Sequence, residues 1–398
     1  MQVDYVIIGA GIVGLSIARQ LKAQSPNAKI AVIEKESTIG LHASGRNSGV
    51  LHAGIYYKPD SLKAICCLAG SRAMAAYCDE HQLPIQRVGK IITTTKANED
   101  NVLAMLQQRA TQNGANVKLI SQAELREIEP EAYTATEYAL FSPETSVVDP
   151  KAILAHIYQA LLAQQVSFYF NQQDTQIQTK NKKIILTDTQ LSYGHLFNTA
   201  GLYADHIAKR CGLTEQYTMI PFKGLYYELK PNATIKINHL IYPVPDMHVP
   251  FLGVHFTKGV DNKIYLGPTA IPVLGREHYR GWQGINLKDT FHTFSNLAPL
   301  YMSNKQGFRT YAHQEIPRFL KSRFVESARA LVPNITPQDI TLSKKVGIRA
   351  QLFDLDKKEL AMDFIIRKTQ NETHVLNAVS PAFSSAFSFC KHVIEHAK

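Results

Sequence analysis

Val3-Asp4-Tyr5-Val6-Ile7-Ile8-Gly9-Ala10-Gly11-Ile12-Val13-Gly14 is the stretch of the 398-residue chain that decides its fold. Val3 to Ile8 is an apolar, largely β-branched run interrupted only by Asp4, the character of a strand covered on both faces of a parallel sheet. The glycines that follow have distinct tasks: Gly9 permits the tight turn out of the strand, Gly11 lets backbone approach a phosphate, and Gly14 lets a helix pack close to the strand. Ile12 to Ala23 then carries apolar residues at helical spacing, and Lys29 to Glu34 returns as a second strand, completing a βαβ unit. A helix starting there offers unpaired N–H groups to a pyrophosphate. Glu34 lies twenty residues beyond Gly14, where an acid accepts hydrogen bonds from an adenosine ribose and disfavours a 2′-phosphate. Read without a ligand, the same residues form a glycine turn and a capping acid.

The glycine fingerprint alone leaves FAD and NAD open. Gly40-Leu41-His42-Ala43-Ser44-Gly45-Arg46-Asn47-Ser48-Gly49-Val50 narrows the choice, because so small, polar and glycine-punctuated a loop suits a pyrophosphate, a ribitol chain and the edge of an isoalloxazine ring. The expected FAD contacts are Gly9, Gly11, Gly14, Glu34, Lys35, Ser44, Arg46, Asn47, Ser48, Gly49, Val50, Ala200, Gly201, Ser380, Pro381 and Ala382. Non-covalent FAD is expected, with His42 the histidine able to form a flavin bond.

Outward from these motifs, helices are expected over Ala97 to Asn113, from the capping box at Ser121, from Asp149-Pro150, over Glu315 to Ala330 and at the C-terminus. Met219 to Lys230, Phe251 to Thr257 and Lys263 to Leu266 alternate as antiparallel strands do. The expected fold is α/β, with a Rossmann-type FAD-binding domain (1–85, 145–215, 340–398) interleaved with a mostly antiparallel substrate domain (86–144, 216–339). Five cysteines in no metal-ligand spacing point to a reducing, cytoplasmic location and to no metal. A leader and a membrane-spanning segment are not expected. The net charge of +10 is compatible with anionic substrates or a peripheral contact on the inner face of a membrane. Nucleic acid is not expected, since no recognition motif accompanies the charge.

Several further strings extend the pattern. They are His42 to Pro59, Pro221 to Tyr227, Tyr242 to Asp246 with Pro250 to Thr257, Gly347 to Gln351 and Asn377 to Ala382. With them the chain resembles the L-2-hydroxyglutarate oxidase/dehydrogenase family, within the D-amino-acid-oxidase-like FAD superfamily. The resemblance implies oxidation of the C2 alcohol of a dicarboxylate hydroxy acid by hydride transfer to flavin N5, with oxygen or a membrane quinone as electron acceptor. Two places depart from the pattern: Thr269 stands where Asn is expected, and Phe383 and Phe387 where small residues are usual.

Such chemistry needs a base for the hydroxyl proton and cations for the carboxylates. His52, directly after the flavin loop, is the first choice as base. Tyr57 and its neighbour Tyr56 are placed to orient substrate oxygens or to fill core. Arg349 resembles the arginine this superfamily uses for an α-carboxylate, and Arg276 is assigned the distal carboxylate. Lys223 is a weaker cation, and His255 is read as structural. The rivals are an amino-acid oxidase of the same fold and a non-catalytic FAD-binding protein.

Overall fold

The computed structural model describes residues 1–173, 175–213, 216–247 and 251–397; of the motifs above, Pro250 lies outside them. Two large sheets organise the chain. The first runs in the order Gln176–Gln178, Lys183–Ile185, Gln190–Asn198, Gln2–Ile8, Ile30–Ile33, Ser167–Tyr169. Gln2–Ile8 pairs in parallel with both Ile30–Ile33 and Gln190–Asn198, and Glu372–Asn377 adds a further parallel strand. Every residue of Ile30–Ile33 is buried, as a two-sided parallel strand requires. Helices Ile12–Gln24, Pro150–Ala163 and Ala382–Ala397 share one core with this sheet.

The second sheet is largely antiparallel. Its central pair, Tyr217–Leu229 with Ile340–Asp354, sets Phe222 opposite Arg349 and Gly224 opposite Gly347. Ile340–Asp354 therefore belongs to the substrate sheet, whereas the expected boundary put residues 340–398 with the FAD domain. The strand crosses over because its hydrogen bonds are taken by Tyr217–Leu229 along almost its whole length.

The expected caps are present. Ser121 and Glu124 make both halves of a capping box, and the Asp149 carboxylate accepts from the Lys151 and Ala152 amides. The helix expected over Glu315 to Ala330 is broken: a 3-10 turn Ile316–Phe319 precedes helix Lys321–Arg329, since Pro317 has no N–H to continue an α-helix. Of Phe251 to Thr257 only the last residues join a strand, His255–Lys258, and the Gly253 carbonyl is taken by the His255 ring instead. The long helix Leu62–Glu80 was not foreseen. It lies so close to the C-terminal helix that a Cβ on Gly70 would stand 2.6 Å from the Ser384 carbonyl.

Candidate active site

A cavity of about 510 Å³ runs from Glu34 and Lys35, past the glycine turn and the 40–50 loop, to the face of the second sheet. At the glycine turn each expected role is visible. Gly9 has φ +105°, and a Cβ there would sit 2.6 Å from the Thr199 carbonyl oxygen; one on Gly14 would sit 2.1 Å from the Gly9 oxygen. Gly11, which lines this cavity, is the N-cap of helix Ile12–Gln24 in extended conformation and has no side chain to cap the first-turn amides. Ser44 Oγ accepts from the Ile12 amide at 2.9 Å, which brings the 40–50 loop over the helix N-terminus. A narrow cradle bounded by amides and hydroxyls fits a dinucleotide pyrophosphate.

Of the expected FAD contacts, Gly9, Gly11, Glu34, Lys35, Ser44, Arg46, Asn47, Ser48, Val50, Ala200, Gly201, Ser380, Pro381 and Ala382 line the cavity. Gly14 and Gly49 do not; both support its wall, and a Cβ on Gly49 would meet the Val148 carbonyl at 2.4 Å. Glu34 accepts from the Ala10 amide at 2.8 Å and the Glu36 amide at 3.0 Å, so its carboxylate is fixed at the strand end. Lys35 is held between Glu36 and Glu277. Asn47 braces the loop by donating to the Ser44 carbonyl at 2.7 Å and accepting from the Gly49 amide at 2.8 Å. Arg46 donates to the Leu41 carbonyl and lies 4.3 Å from the Tyr279 ring centroid. His42 has both ring nitrogens engaged at 2.8 Å, one by Glu36 and one by Tyr279.

At the other end His52, Tyr226, Tyr242, Phe251, His255 and Arg349 line the cavity. Ser384, in the first turn of the C-terminal helix, donates to the Val50 carbonyl and accepts from the His52 amide, each at 3.0 Å. Burial, with Lys90, His255 and Arg349 nearby, pushes the His52 pKa down to about 3. Burial likewise takes His255 down to about 4, against the opposing hydrogen bond to Gly253. Both imidazoles are therefore neutral at physiological pH, because burial disfavours the charged form. His255 Nδ1 donates to the Gly253 carbonyl at 2.8 Å, which leaves Nε2 as the acceptor nitrogen, and the ring stacks on Tyr242 at 3.9 Å. A residue read from sequence as structural thus faces the site.

Arg349 projects from the substrate sheet with its guanidinium 5.1 Å from the Phe251 ring centroid. Burial lowers its pKa, opposed by Tyr311, Tyr226 and Tyr57. Tyr57 does not line the cavity; it is half-buried behind the wall, within electrostatic reach of Arg349. Arg276 is elsewhere altogether. It is buried, makes a bidentate pair with Asp205 at 2.7 and 2.8 Å, donates to the Leu202 carbonyl and has no part in the cavity. The expected distal clamp is instead an internal pin for helix Ala204–Arg210, because its planar fork is already filled by a carboxylate.

One cation was missed. Lys90 is fully buried and, among the described residues, Nζ has no hydrogen-bond partner; it lies 4.6 Å from the Tyr56 ring centroid and 5.3 Å from that of Tyr242. Strand register sets Lys90 beside Leu240 and, two positions on, Ile92 beside Tyr242, so strand alternation points Lys90 to the same face as Tyr242. Burial pushes its pKa down to about 8. A lysine heading an apolar β-branched run, Lys90-Ile91-Ile92, is the signal sequence reading could have used. Lys223 is half-buried and outside the cavity wall. Of the departures noted above, Thr269 and Phe383 line the cavity, while Phe387 packs into core against Tyr77. Thr269 Oγ1 is engaged by the Leu225 amide at 3.1 Å.

A parallel dinucleotide-type sheet and a largely antiparallel one, with a single cavity reaching both, is an architecture that flavoprotein oxidoreductases use. A family model described as FAD dependent oxidoreductase matches residues 4–396, and the chain belongs to that family. It is 35% identical to the L-2-hydroxyglutarate dehydrogenase of Indibacter alkaliphilus, over 100% of this chain and 99% of the relative. The Escherichia coli K12 enzyme of that name is 34% identical, over 98% of this chain and 92% of its own. The human mitochondrial one is 33% identical, over 97% and 86%. Among solved structures, FAD-bound L-alpha-glycerophosphate oxidase from Mycoplasma pneumoniae superposes with a TM-score of 0.78 at 19% identity, covering 100% of this chain and 95% of its own. Glycine oxidase from Geobacillus kaustophilus gives 0.70 at 16%, covering 100% and 95%.

Proposed function

We propose that this enzyme oxidises L-2-hydroxyglutarate to 2-oxoglutarate. The observation that carries the reading is a cavity floor on which Arg349 faces two neutral histidines, with a buried, unpartnered Lys90 behind them. Arg349 binds the α-carboxylate through its planar fork. Lys90, in the place sequence reading gave to Arg276, supplies the positive field that favours a second carboxylate. The stretch from Ser44 to His52 would hold FAD, which would supply a two-electron acceptor for the hydride leaving C2. His52, which lines the cavity and whose Nδ1 has no hydrogen-bond partner among the described residues, accepts the hydroxyl proton. The fixed tautomer of His255 favours a second reading in which that residue is the base; comparing kcat/KM and KM of His52→Asn and His255→Asn separates the two. Tyr57 tunes Arg349 from behind.

The cofactor is held non-covalently in this reading, supported by the engagement of both His42 nitrogens. The five cysteines are buried and unpaired, which suits a cytoplasmic enzyme. Electrons leave to oxygen or to a quinone, and turnover with each acceptor distinguishes them. The removal of Arg276 from the site favours a rival, an amino-acid oxidase that needs only one carboxylate clamp. Anaerobic mixing of the yellow protein with each enantiomer of 2-hydroxyglutarate and with a panel of amino acids decides between them. Rapid loss of flavin absorbance with the L-hydroxy acid alone is expected; bleaching by amino acids and not by the hydroxy acid overturns the proposal.

A further inference from the structure

Two of the distinctive strings, Gly347 to Gln351 and Asn377 to Ala382, each carry a carboxamide that the chemistry above leaves unused, and the fold brings the two together. Gln351 and Asn377 are both fully buried. Gln351 Nε2 donates to the Ala361 carbonyl at 2.7 Å and to that of Leu352 at 3.3 Å. Asn377 Nδ2 donates to the Asp363 carbonyl at 2.6 Å and reaches the same Ala361 carbonyl at 3.4 Å, while its Oδ1 accepts from the Leu352 amide at 3.2 Å. The Ala361 amide in turn donates to the Leu352 carbonyl at 2.9 Å, so both backbone groups of Leu352 are held. Asp363 extends the arrangement: its carboxylate accepts from the Leu62 and Lys63 amides at 2.9 and 3.0 Å, at the start of helix Leu62–Glu80.

These bonds tie the two sheets together. Strand Ile340–Asp354 belongs to the second sheet and carries Arg349 two residues before Gln351. Strand Glu372–Asn377 belongs to the first and runs into residues 378–384, which line the cavity. Burial alone would favour apolar side chains at such a junction. Gln351 instead leaves its Oε1 without a hydrogen-bond partner among the described residues, a cost that a methionine of similar length avoids. Buried, directional hydrogen bonds rigidify a junction in a way that apolar packing does not, and transfer between two reacting atoms is steeply sensitive to their misplacement. We propose that Gln351 and Asn377 are positioning residues, an amide lock that sets where a carboxylate held by Arg349 stands relative to a flavin bordered by residues 378–384. The inference rests on the reading of Arg349 as the α-carboxylate clamp.

The test mixes holoenzyme of the parent, Gln351→Met, Asn377→Ser and Arg349→Met anaerobically with increasing L-2-hydroxyglutarate while flavin absorbance is followed. In Gln351→Met and Asn377→Ser the limiting rate of bleaching is expected to fall about tenfold to a hundredfold, with substrate affinity within about twofold of the parent and FAD content unchanged. Arg349→Met shows the opposite pattern, a loss of affinity. Two readouts need no turnover. Hydrogen exchange at the Leu352 amide rises in Asn377→Ser, and Gln351→Met keeps the stability of the parent in urea, so that its slower rate is not the mark of a damaged fold. A limiting rate within about twofold of the parent in both lock variants, with affinity lost in Arg349→Met, overturns the lock alone, as does a rate that falls only in step with stability. Unchanged hydrogen exchange in Asn377→Ser overturns it without any substrate. Unchanged affinity in Arg349→Met overturns the clamp reading and the lock with it.

Discussion

The pyrophosphate cradle and the substrate end of one cavity are assembled differently. The cradle comes mainly from two nearby stretches, Gly9 to Gly14 and Gly40 to Val50, and its key contact, Ser44 to the Ile12 amide, spans 32 positions. The other end gathers His52, Tyr242, His255 and Arg349, with Lys90 packed behind Tyr242, from five separate segments through strand register. Local pattern carries the first, whereas the second depends on which strands pair. The two arginines make the point directly: both seemed plausible carboxylate clamps, and register brings Arg349 to the cavity while Asp205 holds Arg276 inside the protein.

Substitutions at these two arginines should separate the regions most strongly. Arg349→Met is expected to cut kcat/KM by about a thousandfold or more, the scale of losing a charged, bidentate contact that strengthens in the transition state. Flavin content stays normal, as read from the absorbance of the purified protein; a loss of less than tenfold would break the contrast. Arg276→Met leaves Asp205 buried and unpaired, and should cost about 3 kcal/mol of stability in urea unfolding. Its folded fraction keeps the KM of the parent. A raised KM at unchanged stability would restore the sequence assignment of a distal clamp.

On the cradle side, Gly9→Ala places a Cβ against the Thr199 carbonyl at a left-handed φ. A stability loss on the order of 1–3 kcal/mol is expected, together with weaker FAD retention on gel filtration and an unaltered substrate preference in whatever remains loaded. Lys90→Met acts on the other region. A rise in KM of about tenfold, roughly 1.4 kcal/mol, should accompany a gain in stability at pH 7, because a buried, unpartnered charge has been removed. The sign follows from the folded pKa of about 8 against an ordinary 10.5: the native state releases the proton first, so the parent gains stability as pH rises from about 8 to 10.5 and the advantage of the variant fades there.

At neutral pH the smallest stability effect belongs to His52→Asn. The native pKa of about 3 lies below the ordinary 6.5, so the unfolded chain binds the proton first and the parent loses stability as pH falls from 6.5 toward 3. The variant should show a shallower acid slope in thermal unfolding while differing little at pH 7. An unchanged slope would mean that the imidazole is not desolvated as the packing implies.

Some of this was readable before any coordinates. The glycine turn, the capping box at Ser121 and the Asp149 cap are short-range devices, in which the residue type and its spacing already state the backbone geometry required. Helix Leu62–Glu80 escaped because it is packed on several sides and carries little amphipathic contrast. Glu315 to Ala330 was read as one helix because an apolar period does not register what Pro317 removes.

What the sequence determined alone was a dinucleotide-binding βαβ unit and the loop that covers it, since in each a short motif states the backbone geometry it needs; Arg349 was legible only through the family resemblance. Only the tertiary structure decided that Arg276 is spent on Asp205, that His255 faces the cavity and that Lys90 stands unpaired behind it. Side-chain partners separated by tens to hundreds of residues are chosen by strand pairing and packing, and a linear pattern carries no record of that choice.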